Sequence, residues 1–152
     1  MRLVVVAVGR WKAGPERGLF EHYARRITFP FDLKEVEEKK RGKPVPLKKR
    51  EAGLLLAQAP KDAVIVALDE KGKALSSTQL AKELGRWRDD GAKHVVFMIG
   101  GAEGLDESVR KRARLLLSLG PMTWPHMLVR PMLAEQIYRV QCILSGHPYH
   151  RE

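Results

Sequence analysis

The residues with the densest chemistry lie at the end of the chain. His147-Pro148-Tyr149-His150-Arg151 puts two imidazoles, a phenol and a guanidinium within five positions. An imidazole titrates near neutral pH and can carry a proton. A guanidinium forks onto phosphate, and an aromatic ring stacks on a base. The tail therefore has the parts for proton transfer and for nucleic-acid contact. His147 and His150 could also ligate a metal, but no cysteine or carboxylate cluster accompanies them, so none is expected.

Two upstream segments offer backbone chemistry instead. Gly100-Gly101-Ala102-Glu103-Gly104-Leu105 follows an apolar run, and its glycines permit positive φ and close approach of a ligand to the main chain. A dinucleotide fingerprint is excluded, because the first glycine of that spacing and the downstream ribose-binding acid are both missing. A phosphate-binding P-loop is excluded as well, since no Gly-Lys-Ser/Thr follows. In Leu119-Gly120-Pro121-Met122-Thr123-Trp124-Pro125-His126, two prolines and a glycine hold the chain out of regular structure. Its free N–H and C=O groups could read the edge of a nucleobase.

The charge points to a polyanion. The 152 residues include 28 Lys plus Arg against 18 Asp plus Glu, a formal net charge of +10. Residues 1–60 hold 14 basic and 7 acidic side chains, and residues 61–152 hold 14 and 11, so the excess sits in the first part. Lys39 to Arg50 alone has seven basic residues and no acid, and Pro44 and Pro46 make it a loop. Such a run releases counterions together on binding phosphates. A single Cys142 excludes an internal disulfide and fits a reducing, cytoplasmic setting. No apolar run approaches membrane-spanning length, and Leu3 to Val8 is too short for a signal peptide.

These groups need a scaffold, and hydrophobic periodicity supplies one. The length fits one domain, able to bury roughly 70% of its unfolded surface without cross-links. Arg2 to Val8, Ala63 to Leu68 and His94 to Ile99 read as strands buried on both faces. Phe31 to Glu38 reads as a partly exposed strand and Met122 to Trp124 as a short fifth one. Helices are expected from Pro15, over Leu47 to Ala59, from Ser76 or Ser77 to Asp90, from Asp106 to about Ser118, and from Pro131 to about Gly146. Strands alternating with helices predict an α/β fold, a mainly parallel five- to six-stranded sheet with helices on both faces. Ligands in such sheets gather at the carboxyl ends of strands. Those ends are the loops after Leu68, after Ile99 and around Trp124.

The pieces together resemble one family. Ile99-Gly100-Gly101-Ala102-Glu103-Gly104-Leu105, Met122-Thr123-Trp124-Pro125-His126-Met127-Leu128-Val129-Arg130, Ala134-Glu135-Gln136-Ile137-Tyr138-Arg139 and the tail resemble the ribosomal large subunit methyltransferase H family of the SPOUT class. Val6-Ala7-Val8-Gly9 and Glu21-His22-Tyr23-Ala24-Arg25-Arg26 extend the likeness over essentially the whole chain. Pro131 and the Leu119-Gly120-Pro121 stretch depart from the family pattern, and the basic loop is shorter than in some relatives.

The resemblance implies a C-terminal trefoil knot, a homodimer and S-adenosylmethionine as cofactor. It implies methylation of the ring nitrogen N3 of a pseudouridine in helix 69 of 23S ribosomal RNA, in the assembled ribosome. Carried over by motif, cofactor contacts fall on Leu68, Gly100, Leu119, Gly120, Pro121, Met122, Thr123 and Trp124. The nitrogen bears a proton, so a base must remove or share it. His126 and His150 are candidate bases. Arg139 and Arg151 would stabilise the deprotonated ring or clamp phosphate, and Tyr149 would stack on the base or orient it. The competing reading is a non-catalytic ribosome- or RNA-binding module built on the basic loop and tail, which needs no small-molecule pocket.

Overall fold

The computed structural model describes residues 1–39 and 45–151. Five strands form one sheet: β1 (Arg2–Val8), β2 (Phe31–Val36), β3 (Val64–Lys73), β4 (His94–Ile99) and β5 (Leu115–Leu117). Their order is β2-β1-β4-β3-β5, and every pairing is parallel. Parallel strands need long crossovers, and α1 (Pro15–Ala24), α2 (Leu47–Ala57), α3 (Ser77–Asp89) and α4 (Glu107–Arg112) provide them. A long α5 (His126–Ser145) closes the chain.

The β1 run is buried on both sides because alternate residues face different cores. Leu3, Val5 and Ala7 pack with Leu80, Leu84 and Trp87 of α3 and Leu133, Ile137 and Val140 of α5. Val4, Val6 and Val8 pack with Ala52 and Leu55 of α2 and Val109 of α4. Helices therefore cover both faces. The α3 start is a full capping box: the Ser76 hydroxyl accepts the Gln79 N–H, and the Gln79 side chain accepts the Ser76 N–H. Gly91 and Gly146, at φ 88° and 75°, end α3 and α5 as expected.

Four expectations need correction. The helix after Asp106 stops at Arg112, and Leu115–Leu117 is the fifth strand, at the sheet edge beside β3. The Arg114 N–H donates to Ile65 O at 2.8 Å and starts that pairing. Three consecutive leucines satisfy a strand as well as a helix face, and the vacant sheet edge decides between them. Met122 to Trp124 is accordingly a loop. Helix α5 begins at His126, five residues before Pro131. Pro131 lacks an N–H and disfavours helical backbone at Arg130. What holds the turn is the Arg130 side chain, which is fully buried. Its guanidinium donates to Glu35 Oε2 at 2.7 Å and to the carbonyls of Val8 and Gly9 at 3.2 and 3.0 Å, and lies 4.6 Å from the Trp11 ring centre. Finally, Lys48, Lys49 and Arg50 belong to the first turn of α2, whereas residues 40–44 of the basic run lie outside the described residues.

Strand β3 runs past its predicted end, and its register with β5 shifts between Leu68 and Lys73. Leu117 pairs with both Leu68 and Lys73, and the Ser118 N–H donates to Lys73 O at 2.9 Å. Gly72 is required there, since a Cβ would collide with the Leu116 carbonyl. No described helix is long and apolar enough to cross a membrane.

Candidate active site

The carboxyl ends of β3, β4 and β5 enclose a cavity of about 510 Å³. Leu68 through Lys71 form one wall, the loop Ile99 to Leu105 a second, and Leu119, Gly120 and Met122 to His126 a third. Of the eight residues expected to contact a cofactor, Leu68, Gly100, Leu119, Gly120, Met122, Thr123 and Trp124 line it, and Pro121 does not. His126 lines it too, at the first position of α5.

Two of the walls turn at glycines and are fixed by local contacts. The Gly104 N–H donates to Gly101 O at 3.0 Å, and Gly104 has φ 83°. A Cβ on Gly100 would stand 2.8 Å from Gly104 O, so the turn closes only around glycine. On the third wall the buried Ser118 hydroxyl accepts the Gly120 N–H at 3.1 Å and lies 3.1 Å from Glu70 O. Gly120 turns at φ 107°. Trp124 Nε1 donates to Leu119 O at 3.3 Å, and Thr123 Oγ1 to Glu70 Oε2 at 3.2 Å. Trp124 is thus pinned by its polar end while 39% exposed, and Met122 is 71% exposed. The charged lining is mixed: Glu70, Glu103 and an Asp69–Arg110 ion pair, with Lys48 and Lys71.

Three of the remaining candidates, Arg139, Tyr149 and His150, gather elsewhere, at the later turns of α5. Glu135 is their hub. Its Oε1 accepts Arg139 Nε and Nη2 at 3.0 and 2.5 Å and the Tyr149 hydroxyl at 3.0 Å. The Arg139 guanidinium also lies 4.8 Å from the Tyr149 ring centre, and Tyr138 meets that ring edge-on at 4.7 Å. Arg139 Nη1 is 3.1 Å from His150 Nδ1. A guanidinium only donates, so Nδ1 accepts, and the neutral imidazole carries its proton on Nε2. Burial first, then the bond to Glu135, pushes the Tyr149 hydroxyl up to about 12, so it stays a donor at neutral pH. The Glu135 hydrogen bond likewise raises Arg139. Arg151 is exposed.

None of Arg139, Tyr149, His150 and Arg151 lines the strand-end cavity. Glu135 and Gln136 line a second cavity, of about 590 Å³, which shares only Leu117, Leu119 and Gly120 with the first. The sequence reading missed the role of Glu135. Its spacing of four from Arg139 on a helix was the available signal.

A pocket at three strand ends, a register shift where β3 meets β5 and an arginine-tyrosine-histidine tail stand together in this chain. The family model described as "Predicted SPOUT methyltransferase" matches residues 1–150. The ribosomal RNA large subunit methyltransferase H of Rhodospirillum centenum is 60% identical over 151 residues, 99% of each chain. Those of Paramagnetospirillum magneticum and Rhodospirillum rubrum are 58% and 54% identical over 99% of each chain. With full-length identity at that level, the chain belongs to the SPOUT methyltransferases, in the ribosomal RNA large subunit methyltransferase H family.

Proposed function

We propose that the protein is a single-domain, cytoplasmic SPOUT methyltransferase of ribosomal RNA, which uses S-adenosylmethionine to methylate N3 of a pseudouridine in helix 69 of 23S rRNA in the assembled ribosome. The observation that carries this reading is the strand-end cavity. Its volume lies within the usual range for small-ligand pockets. Glycines at positions 100, 101 and 120 of its lining let a ligand approach the main chain closely, which suits a flat base that needs hydrogen bonds at its edge. Leu68, Gly100 and the stretch from Leu119 to Trp124 would hold the cofactor. A C-terminal trefoil knot belongs to the same proposal.

When bound, the cofactor supplies a methyl group on a sulfonium. The protein must free the N3 lone pair and hold the ring in line. His126, the imidazole that lines the cavity, takes the N3 proton. Arg139, positioned by His150, is the donor suited to the ring anion that results, Tyr149 stacks on or orients the ring, and Arg151 meets phosphate. Within one chain those groups do not line the cavity, so the tail is supplied by the second copy of a homodimer. Basic residues of the first part, Lys48 at the cavity included, meet the RNA backbone.

The test is incubation with 50S subunits or 70S ribosomes and methyl-labelled cofactor, then mapping of the labelled nucleotide. Label at N3 of one helix 69 pseudouridine in ribosomes is expected. Label in protein-free rRNA but not in ribosomes would contradict the substrate. Absence of both label and cofactor binding would favour the non-catalytic RNA-binding module.

A further inference from the structure

Behind the glycine loop lies a carboxylate without a role in the chemistry so far. Glu51, on α2, is only 9% exposed and forms no ion pair or hydrogen bond among the described residues. It sits against Gly101: a Cβ there would stand 3.0 Å from Glu51 Oε2 and 3.3 Å from Oε1. Gly101 in turn lines the cavity. Gly101 therefore stands between this carboxylate and the cavity, and a Cβ there would make the carboxylate give by a few tenths of an ångström.

Among the described residues, the local charges leave Glu51 short of a cation. Burial and then the nearby Glu103 hold its carboxyl above the usual carboxylate range, and only Arg50 opposes them. Arg50 is itself engaged with Glu38, 3.6 Å away. A buried carboxylate costs solvation free energy that a nearby positive charge restores. Coulomb energy falls only as the inverse of distance, so the effect reaches across one main-chain layer.

We propose that Glu51 makes the pocket discriminate by charge, favouring the cationic S-adenosylmethionine over the neutral thioether S-adenosylhomocysteine left after transfer. This rests on the assignment of the cavity as the cofactor pocket. The same cationic charge that leaves with the methyl group takes with it the contact to Glu51, so product release is aided by the reaction itself.

Titration calorimetry with three probes tests it: S-adenosylmethionine, S-adenosylhomocysteine, and sinefungin, whose amine places a cation where the sulfonium stands. Glu51→Gln is expected to weaken both cationic ligands by roughly tenfold and the thioether by less than about twofold. Glu51→Met fills the same space, removes a buried charge and should give the same pattern, so a poorly folding amide variant does not spare the inference. Equal weakening of all three ligands would make Glu51 a mere prop of the loop and overturn the proposal, as would unchanged affinities. Failure of the wild-type chain to bind any of the three would overturn the pocket assignment and this inference with it.

Discussion

The two ends of the candidate site are built from different material. The strand-end cavity is shaped by turns: glycines at Gly100, Gly104 and Gly120, bracketed by Ser118. The cluster on α5 is entirely side chain, with Glu135 joining Arg139 and Tyr149, and Arg139 joining His150. The first is fixed by conformation and should tolerate exchange of its exposed side chains, such as Met122. The second hangs on a few directed bonds, and losing one partner strands the others. On the proposed function, a pocket that binds the same molecule on every turnover gains from a rigid wall, whereas a tail that meets a large RNA gains from groups that can be repositioned.

The sharpest way to break the contrast is Glu135→Ala. It frees Arg139, Tyr149 and the His150 orientation together, so turnover should fall by roughly a hundredfold or more, the scale of lost proton-transfer and anion-stabilising groups. Calorimetry should show cofactor affinity nearly unchanged. A parallel loss of affinity would mean that the two regions are one.

Gly100→Val attacks the other side. Its Cβ would stand 2.8 Å from Gly104 O and 3.1 Å from Leu105 Cδ2, so the turn must open. Cofactor affinity should drop by roughly a hundredfold or more, the cost of about 3 kcal/mol of backbone strain. Near-ultraviolet circular dichroism of the Tyr138–Tyr149 pair should be unaltered.

The smallest effect concerns Tyr149. Its folded pKa, about 12, lies above the ordinary value near 10. The folded state thus holds that proton more tightly. The resulting stability is complete below about pH 10 and is lost as pH rises through about 12, by at most about 2 kcal/mol. Urea unfolding of the wild type and Tyr149→Phe should differ by a constant amount up to about pH 10 and converge above it. A difference that does not depend on pH up to 12 would remove the Glu135 contact from the tail's support.

The sequence reveals the cavity better than the cluster. Its glycines and prolines state their backbone geometry locally, and the strand-end rule places them together. The core is equally plain where residues leave one choice, as in the Leu3 to Val8 run or the Ser76 to Gln79 box. Elsewhere a distant partner decides. Arg130 violates the pre-proline preference because Glu35, ninety-five residues away, holds its side chain. Leu115 to Leu117 become a strand because β3 offers an edge. The folding of the tail back onto Glu135 leaves no local mark at all beyond a spacing of four.

The division of labour between the regions is tested most directly by mixing two inactive chains. Gly100→Val has a tail but no working pocket, and His150→Ala has a pocket but an incomplete tail. Each is expected to methylate ribosomes at or near background. After co-refolding or co-expression, mixed dimers hold one pocket and one tail that are both intact on opposite chains, and methyl transfer should return to roughly a quarter of the wild-type rate, the share of wild-type sites a random mixture restores. No recovery, with mixed dimers confirmed by mass, would show that pocket and tail act within one chain and contradict the shared site.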